Sequence, residues 1–373
     1  MRAEAEVDLV AIEQNYQQVR AQGFPVMPVV KADAYGHGVS DVAPLLRSLG
    51  AQWLGVALPS EALALRGEGD GGHILAWLWT PGDPAVPECI ARHVDISVSS
   101  VWALEEVAQA ASRAGETARI HIKVDTGLTR NGAEEETWLA LLGRARTLQD
   151  RNQVRIVGLW SHLGSADESD RKRTDDQLAT FQSALQAAES VGVRPEIRHI
   201  ANSAAALTRR DAGLDMVRVG IALYGLTPGW SMGSAADLGL RPAMTLRTRL
   251  AHVKAVPKGT AVSYGRGWMT PADTVVGLVP IGYADGVPRA ATNRVSVLVN
   301  DRLRPVIGQV AMDQFVVDLG GDDCRSGDNV VCFGPGFAGE QTADDWARSM
   351  DTIGYEIVTR IGSRVPRRYL RRV

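Results

Sequence analysis

Cysteine is scarce in this 373-residue chain. The three that occur, Cys89, Cys324 and Cys332, are an odd number without C-x-x-C spacing, which argues against a disulfide framework and against a structural zinc site. The histidines carry no metal-type spacing, so no metal is expected. No apolar run approaches the roughly 20 residues that a membrane-spanning helix requires. An excess of basic charge is missing too: the net charge is −3, so neither nucleic acid nor an anionic membrane surface is expected as a partner. The first residues are charged where a secretion signal would be apolar, which leads to an expected cytoplasmic location. What is present is an ordinary globular composition, 45% hydrophobic and 22% charged, long enough for about two domains.

The first part of the chain alternates β-branched runs with Ala/Leu/Glu/Gln-rich stretches. Strands are expected at Val26–Lys31, Trp53–Ala57, His73–Trp79, Asp95–Ser99, Arg119–Asp125, Val154–His162, Ile197–Asn202 and Met216–Gly225. Helical patterns separate them, which reads as a parallel α/β sheet with crossover helices, and eight is the strand count that closes a (β/α)8 barrel. No Gly-x-Gly-x-x-Gly turn follows the first strand, as a dinucleotide fold would need. After Tyr224 a Gly/Pro-rich linker, Thr227–Pro242, leads into short Val-rich runs, beginning with Thr245–Val256, that read as a mostly β domain. Thr342–Met350 is its helical stretch. The expected division is a barrel over residues 10–228 and a β domain over 229–373, with the opening run Arg2–Leu9 pairing into the β domain. The basic tail Arg364–Arg372 reads as a solvated or interface surface.

Reactive side chains in such a barrel project from the C-terminal ends of the strands. Read in order, those ends carry Lys31, Asp125 with Arg130 just beyond, His162, Asn202 with Ser203, and Arg218 with Gly220. Lys31 follows Pro28-Val-Val on a strand that should be buried on both faces. Burial lowers a lysine's pKa, so it is either an amine tuned for covalent or base chemistry, or a side chain that snorkels out at the strand end.

The stretch Val30-Lys-Ala-Asp-Ala-Tyr-Gly-His-Gly38 resembles the cofactor-lysine motif of the alanine racemases, pyridoxal-phosphate enzymes built from a barrel and a β domain. Six further stretches lie in that family's order: Lys123-Val-Asp-Thr-Gly127 with Arg130, His199-Ile-Ala-Asn-Ser203, Arg218-Val-Gly-Ile221, Ser263-Tyr-Gly265, Gly282-Tyr-Ala-Asp-Gly286 and Ala311-Met-Asp-Gln314; Gly354-Tyr-Glu356 follows them. The resemblance covers essentially the whole chain.

The resemblance implies that Lys31 binds pyridoxal 5'-phosphate covalently and, once freed by substrate, acts as one of two catalytic bases. Tyr264 of the partner subunit would be the second, across an obligatory homodimer, since racemisation takes a proton from one face of Cα and returns it on the other. His162 and Arg218 would form the network that favours the Tyr264 phenolate. Arg218 would face the ring nitrogen as a donor, for which an arginine has no acceptor alternative. Tyr35, Asn202, Ser203, Gly220, Ile221 and Tyr355 complete the implied cofactor cradle. Arg130 and the backbone of Met312 from the partner would hold the substrate carboxylate, with Lys123 matching a lysine that is often carbamylated in the family. Tyr283, Asp313 and Tyr355 would line the entrance. The remaining histidines, His37, His73, His93, His121, His199 and His252, read as hydrogen-bonded structural residues.

Two stretches depart from the common family pattern, Gly127-Leu-Thr-Arg-Asn-Gly132 and the Leu-Gly-Ser within Ser161–Asp167, which bears on substrate preference. The expected reaction is interconversion of L- and D-alanine for peptidoglycan. A racemase preferring serine, an amino-acid decarboxylase of similar architecture and a non-enzymatic cofactor carrier are the alternatives. The decarboxylases place an acidic residue at the ring nitrogen and use a Gly-Gly-Gly phosphate loop, and the carriers lack the second domain.

Overall fold

The computed structural model describes residues 2–371; Met1, Arg372 and Val373 lie outside the described residues. Strand β1 (Ala3–Asp8) leads into helix Leu9–Arg20, whose start is fixed by the Asp8 carboxylate accepting from the amides of Val10 and Ala11 at 2.9 and 3.1 Å. Eight parallel strands follow: β2 (Val26–Pro28), β3 (Trp53–Val56), β4 (His73–Ala76), β5 (Asp95–Val98), β6 (Ala118–Lys123), β7 (Val154–Trp160), β8 (Ile197–His199) and β9 (Val217–Val219). Strands β3 to β8 pair in sequence, and β2 pairs with β9. The Val29–Gly55 bridge ties β2 to β3, and the amides of Asp215 and Arg218 donate to the carbonyls of Arg198 and Ala201 to tie β8 to β9. The circle closes, so the expected barrel is what these residues form.

Strand alternation divides the side chains into two sets. Outward residues such as Leu54, Val56, Ile74, Ile96, Ile120 and Ile122 join the main core beneath the helices. Helix Val101–Ala114 shows how: Ser100 caps it by accepting from the Ala103 amide, and Leu104, Val107, Ala108 and Ala111 are buried at helical spacing. Inward residues fill the barrel. Met27, Trp53, Leu75 and Met216 form a separate apolar cluster there, while Asp95, His121, His199 and Arg218 are buried and polar.

The second sheet has nine strands: β10 (Met244–Arg249), β11 (His252–Val256), β12 (Thr274–Val279), β13 (Ser296–Val299), β14 (Arg302–Ile307), β15 (Phe315–Gly320), β16 (Asn329–Phe333), β17 (Arg367–Leu370) and β1. Its order is β11-β12-β15-β14-β13-β16-β10-β1-β17, with β1 antiparallel to β10 and parallel to β17.

Two expectations need correction. Thr245–Val256 is two strands, because β10 pairs with β1 and β16 while β11 pairs with β12. Met216–Gly225 is extended only over Val217–Val219; Ile221–Tyr224 is a 3-10 turn whose apolar residues are buried. A short helix, not among the expected elements, forms at Gly354–Thr359. The basic tail stays largely at the surface, where its arginines also clamp back onto the chain. Arg367 donates to the carbonyls of Gly36, Ile361, Gly362 and Val365, Arg368 pairs with Glu6, Arg364 with Asp313, and Arg371 with Asp41. The clamp draws the β domain onto the turn that follows Lys31.

Candidate functional site

At the C-terminal mouth of the barrel lies a cavity of about 650 Å³. Lys31, Tyr35, Lys123, Arg130, His162, Asn202, Ser203, Arg218, Gly220, Ile221 and Tyr355 all line it, from positions spread over more than 300 residues of chain. Trp77, Leu78, Asn131, Trp160 and Ile353 line it as well and were not singled out from the sequence. The signal for Trp77 and Trp160 was available, since each follows an inward residue two positions earlier, Leu75 and Gly158. Nothing local marks Ile353.

Lys31 stands at an irregular place in the backbone. Ala32, Asp33, Ala34 and Tyr35 all have φ near +50°, a full left-handed turn made without glycine. Such a conformation costs roughly 1–2 kcal/mol per residue, so the surroundings must hold it in place. Glu61 accepts from the Ala32 amide at 2.6 Å, Asp33 accepts from the Val39 amide at 2.7 Å, and the buried His37 donates from Nδ1 to the carbonyls of Ala34 and Tyr35. The turn aims Lys31 into the cavity, with Nζ 5.8 Å from the centres of both the Tyr35 and Trp77 rings. Burial, and then the Arg130 charge, hold the Lys31 ammonium below its ordinary pKa, against an opposing pull from Glu61.

The charges lining the cavity are one-sided. Lys31, Lys123, Arg130 and Arg218 are there and no carboxylate is. Lys123 is buried with Nζ 4.8 Å from the Trp160 ring, and burial, then Arg218 and Arg130, bring its pKa down to about 8. Burial drives His162 well below its ordinary pKa, with Arg218, Arg130, Lys123 and Lys31 acting the same way. His162 is therefore neutral. Its Nδ1 faces Arg218 Nη2 at 3.2 Å, and an arginine only donates, so the ring proton sits on Nε2. His162 thus presents Nε2–H as a neutral donor and carries no positive charge.

Arg218 is 4% exposed and makes no ion pair among the described residues. It donates to the carbonyls of Ser161 and Ile200 at 2.7 and 3.2 Å and to His199 Nδ1 at 2.9 Å, and it lies 4.7 Å above the Trp160 ring. Burial lowers its pKa to about 9. At the opposite wall, burial raises the pKa values of Tyr35 and Tyr355, so both hydroxyls stay protonated and able to donate. Gly220 leaves room there: a Cβ would lie 2.2 Å from the Tyr35 hydroxyl. Ser203 accepts from the Gly220 amide at 3.0 Å, and Asn202 caps the six-residue helix Ser203–Thr208. Phenol and serine hydroxyls around a glycine, with cations nearby, suit a phosphate. A lysine and a carboxylate-free arginine facing one cavity suit a pyridoxal ring.

Tyr264, Tyr283, Met312 and Asp313 do not line this chain's cavity. Tyr264 is 69% exposed on a turn where Ser263 and Arg266 both have positive φ, and Met312 and Tyr283 are exposed too. Asp313 pairs with Arg364 at 2.7 Å. Among the described residues no group of three or more His, Cys, Asp or Glu side chains could hold a metal ion, and no helix is long and apolar enough to cross a membrane.

Comparison with known proteins follows the same two-part division. The family model for the alanine racemase N-terminal domain matches residues 7–228, and the C-terminal model matches residues 243–369. A protein of Streptomyces coelicolor named alanine racemase is 52% identical over 377 residues, spanning 99% of this chain and 96% of that relative. One from Thermobifida fusca is 50% identical over 98% of each. The crystal structure of alanine racemase from D-cycloserine producing Streptomyces lavendulae aligns with a TM-score of 0.98 at 50% identity, covering 100% of this chain and 98% of that one.

Proposed function

The chain belongs to the alanine racemase family, and on that premise we propose that it interconverts L- and D-alanine by a pyridoxal-phosphate-dependent, two-base mechanism. The observation that carries this reading is the cavity itself, where Lys31 and a carboxylate-free Arg218 face one space whose lining bears four cations and no acid. Pyridoxal 5'-phosphate, when bound, supplies the electron-withdrawing ring that stabilises charge at the substrate Cα. Lys31 would hold it; Tyr35, Ser203, Gly220, Ile221 and Tyr355 would take its phosphate, beside Asn202 at the cap of the short helix; Arg218 would donate to its ring nitrogen. An arginine gives up no proton easily, so Arg218 would leave the ring nitrogen unprotonated and temper electron withdrawal, which would favour racemisation over side reactions. An acidic residue at the same place would suit the decarboxylases.

Lys31 Nζ would take or return the α-proton on one face of Cα, and the phenol oxygen of Tyr264 of the partner subunit on the other. His162 Nε2–H, fixed by the bond at Nδ1, is free to donate toward that oxygen and favour the phenolate. Arg130 would hold the substrate carboxylate with the backbone of the partner's Met312, while the partner's Tyr283 and Asp313 border the entrance beside this chain's Tyr355. The exposure of Tyr264, Tyr283 and Met312 outside their own cavity supports a homodimer with shared sites. Lys123 has the properties of a carbamylation site: an amine with a pKa of about 8 beside Arg130 and Arg218, both of which would attract the anion formed. The reading extends to a cytoplasmic enzyme that supplies D-alanine for peptidoglycan.

The test is α-proton exchange in deuterated buffer with pyridoxal phosphate, supplying L-alanine, D-alanine and L-serine separately and following chirality by chromatography. Racemisation of alanine with deuterium uptake in both directions is expected. Cofactor uptake without exchange of any substrate would favour a carrier. A faster serine rate would move the preference to that substrate.

A further inference from the structure

Arg218 is a buried guanidinium without a carboxylate in contact, a costly arrangement unless its charge is compensated from further away. The route to a carboxylate runs through the barrel. Arg218 Nη1 lies 2.9 Å from His199 Nδ1, His199 Nε2 lies 2.9 Å from His121 Nδ1, and His121 Nε2 lies 3.2 Å from Asp95 Oδ2. The first member fixes the direction of every bond. An arginine only donates, so His199 Nδ1 accepts and its proton sits on Nε2; that proton is donated to His121 Nδ1, which leaves the His121 proton on Nε2, pointing at Asp95.

The fold is shaped around this chain of side chains. Asp95, His121 and His199 are fully buried. A Cβ at Gly158 would lie 2.1 Å from His121 Nδ1, so strand β7 needs glycine there for the imidazole to stand inside the barrel, and the β6–β7 register shifts at the same place. The Trp160 ring stacks on His199 at 5.5 Å and 9°, and Trp53 meets His121 edge-on at 5.3 Å. At the far end Arg119 clasps both Asp95 oxygens at 2.7 and 3.1 Å. Burial pushes the Asp95 carboxyl up, but the bonds from His121 and Arg119 outweigh it and keep it below the usual carboxylate range.

We propose that Asp95 and His121 are positioning residues for the racemase reaction: through His199 they form a polarised relay across the barrel that holds the guanidinium of Arg218 in plane and serves as its remote counter-charge. The relay sharpens the acceptor at His199 Nδ1, which fixes which Arg218 N–H groups are left to face the cofactor ring. The inference rests on the role given above to Arg218.

The experiment uses the full-length protein labelled with ¹⁵N-histidine, with and without pyridoxal phosphate. Wild-type His199 and His121 should both show the Nε2–H tautomer before any cofactor is added, so this readout stands even if the reaction assignment fails. A protonated Nδ1 on His199 would overturn the relay outright. In Asp95→Asn, the imidazole N–H resonances of both histidines should move. The kcat for alanine should fall about tenfold with KM changed less than twofold, because Arg130 is untouched, and the absorption band of the bound cofactor should shift. Asp95→Glu should recover part of kcat. Leu75→Ala is the control for the fold, since it opens the apolar cluster inside the same barrel without removing any hydrogen bond of the relay. Equal losses in Leu75→Ala and Asp95→Asn, or an Asp95→Asn protein with wild-type kcat and cofactor band, would overturn the proposal. Should Asp95→Asn not fold, His121→Gln carries the same kinetic and spectral comparison.

Discussion

The rim of the barrel and the outer face of the β domain carry residues from equally recognisable motifs, yet the chain treats them in opposite ways. At the rim, side chains from β2, β6, β7, β8 and β9 converge on one cavity, their pKa values displaced by burial and by one another. On the β domain, Tyr264, Tyr283 and Met312 stand in the open, outside that cavity. On the proposed homodimer, the contrast separates what one chain builds alone from what it would offer to another. A binding pocket with its charges is built within one chain, from the barrel rim and from Ile353 and Tyr355 of the second domain, while the proposed second base, Tyr264, is displayed outward on a strained turn. On that proposal, the unit that this sequence encodes is a half-site.

The most forceful attempt to break that contrast is complementation. Lys31→Ala and Tyr264→Phe should each lose at least about 10³-fold in kcat, as expected for removing an acid–base group. If Tyr264 acts in the partner's site, unfolding or dissociating the two variants together and reassembling them gives mixed dimers in which one site holds both defects and the other holds neither. With random pairing in a twofold dimer, about a quarter of wild-type activity should return. If both bases belonged to the same chain's cavity, every site in the mixture would stay defective and nothing would return. Titrating active sites in the remixed sample distinguishes the two.

The same contrast marks where reading the sequence succeeded. The barrel strands are legible because runs such as Leu54–Val56, Ile74–Ala76 and Ile156–Leu159 are buried on both faces and carry no polar side chain. The run Met216–Gly225 was overread because Ile221–Tyr224 is equally apolar but coils at the barrel mouth; burial alone does not tell a strand from a turn. Thr245–Val256 was read as one strand since Leu250 and Ala251, where it changes partners, lack a glycine or proline to mark the break. Rim residues could be proposed one by one from strand ends and the family motifs, but the one-sided charge of the cavity emerges only when the strands close. His121 and His199 were read as structural. His121, two residues before the rim residue Lys123, already falls on the inward face, but its pairing with His199 depends on Gly158 in a third strand, which no local pattern announces.

A smaller effect is expected at the phosphate side of the rim. In Gly220→Ala the new methyl would meet the Tyr35 hydroxyl at 2.2 Å and displace it, because the wall behind Tyr35 is closed by Tyr224, whose ring stacks on it at 4.9 Å. Losing one hydrogen bond to a charged group costs about 1.5–3 kcal/mol, so cofactor affinity should fall roughly 10- to 150-fold. The kcat of the fully loaded enzyme should change little, since Lys31 and Arg218 are untouched. Equilibrium titration with pyridoxal phosphate measures this. Unchanged affinity would remove Tyr35 and Gly220 from the cradle. Met312→Ala is the matched change on the β domain: it should leave cofactor affinity as it was and raise the KM for alanine only if bulk at that position shapes the entrance.

The smallest expected effect is a displacement along the pH axis. Attachment of the cofactor needs the unprotonated Lys31 amine, and burial followed by the Arg130 charge lowers this lysine's pKa from its ordinary 10.5. Below the lowered pKa the neutral fraction grows tenfold per pH unit, so the second-order rate of loading should climb with pH and level off before 10.5. Glu61 opposes the shift by favouring the ammonium. Removing its charge in Glu61→Gln should therefore lower the Lys31 pKa further and move the plateau to lower pH, and Arg130→Gln should move it the other way. Both displacements arise within one chain's barrel. Tyr264→Phe should leave the loading profile where it is, because in the unliganded protein Lys31 takes its electrostatic surroundings from Arg130 and Glu61. A profile that follows Tyr264 instead would mean that the second subunit already tunes the lysine before any substrate arrives, and the half-site would no longer be electrostatically self-contained.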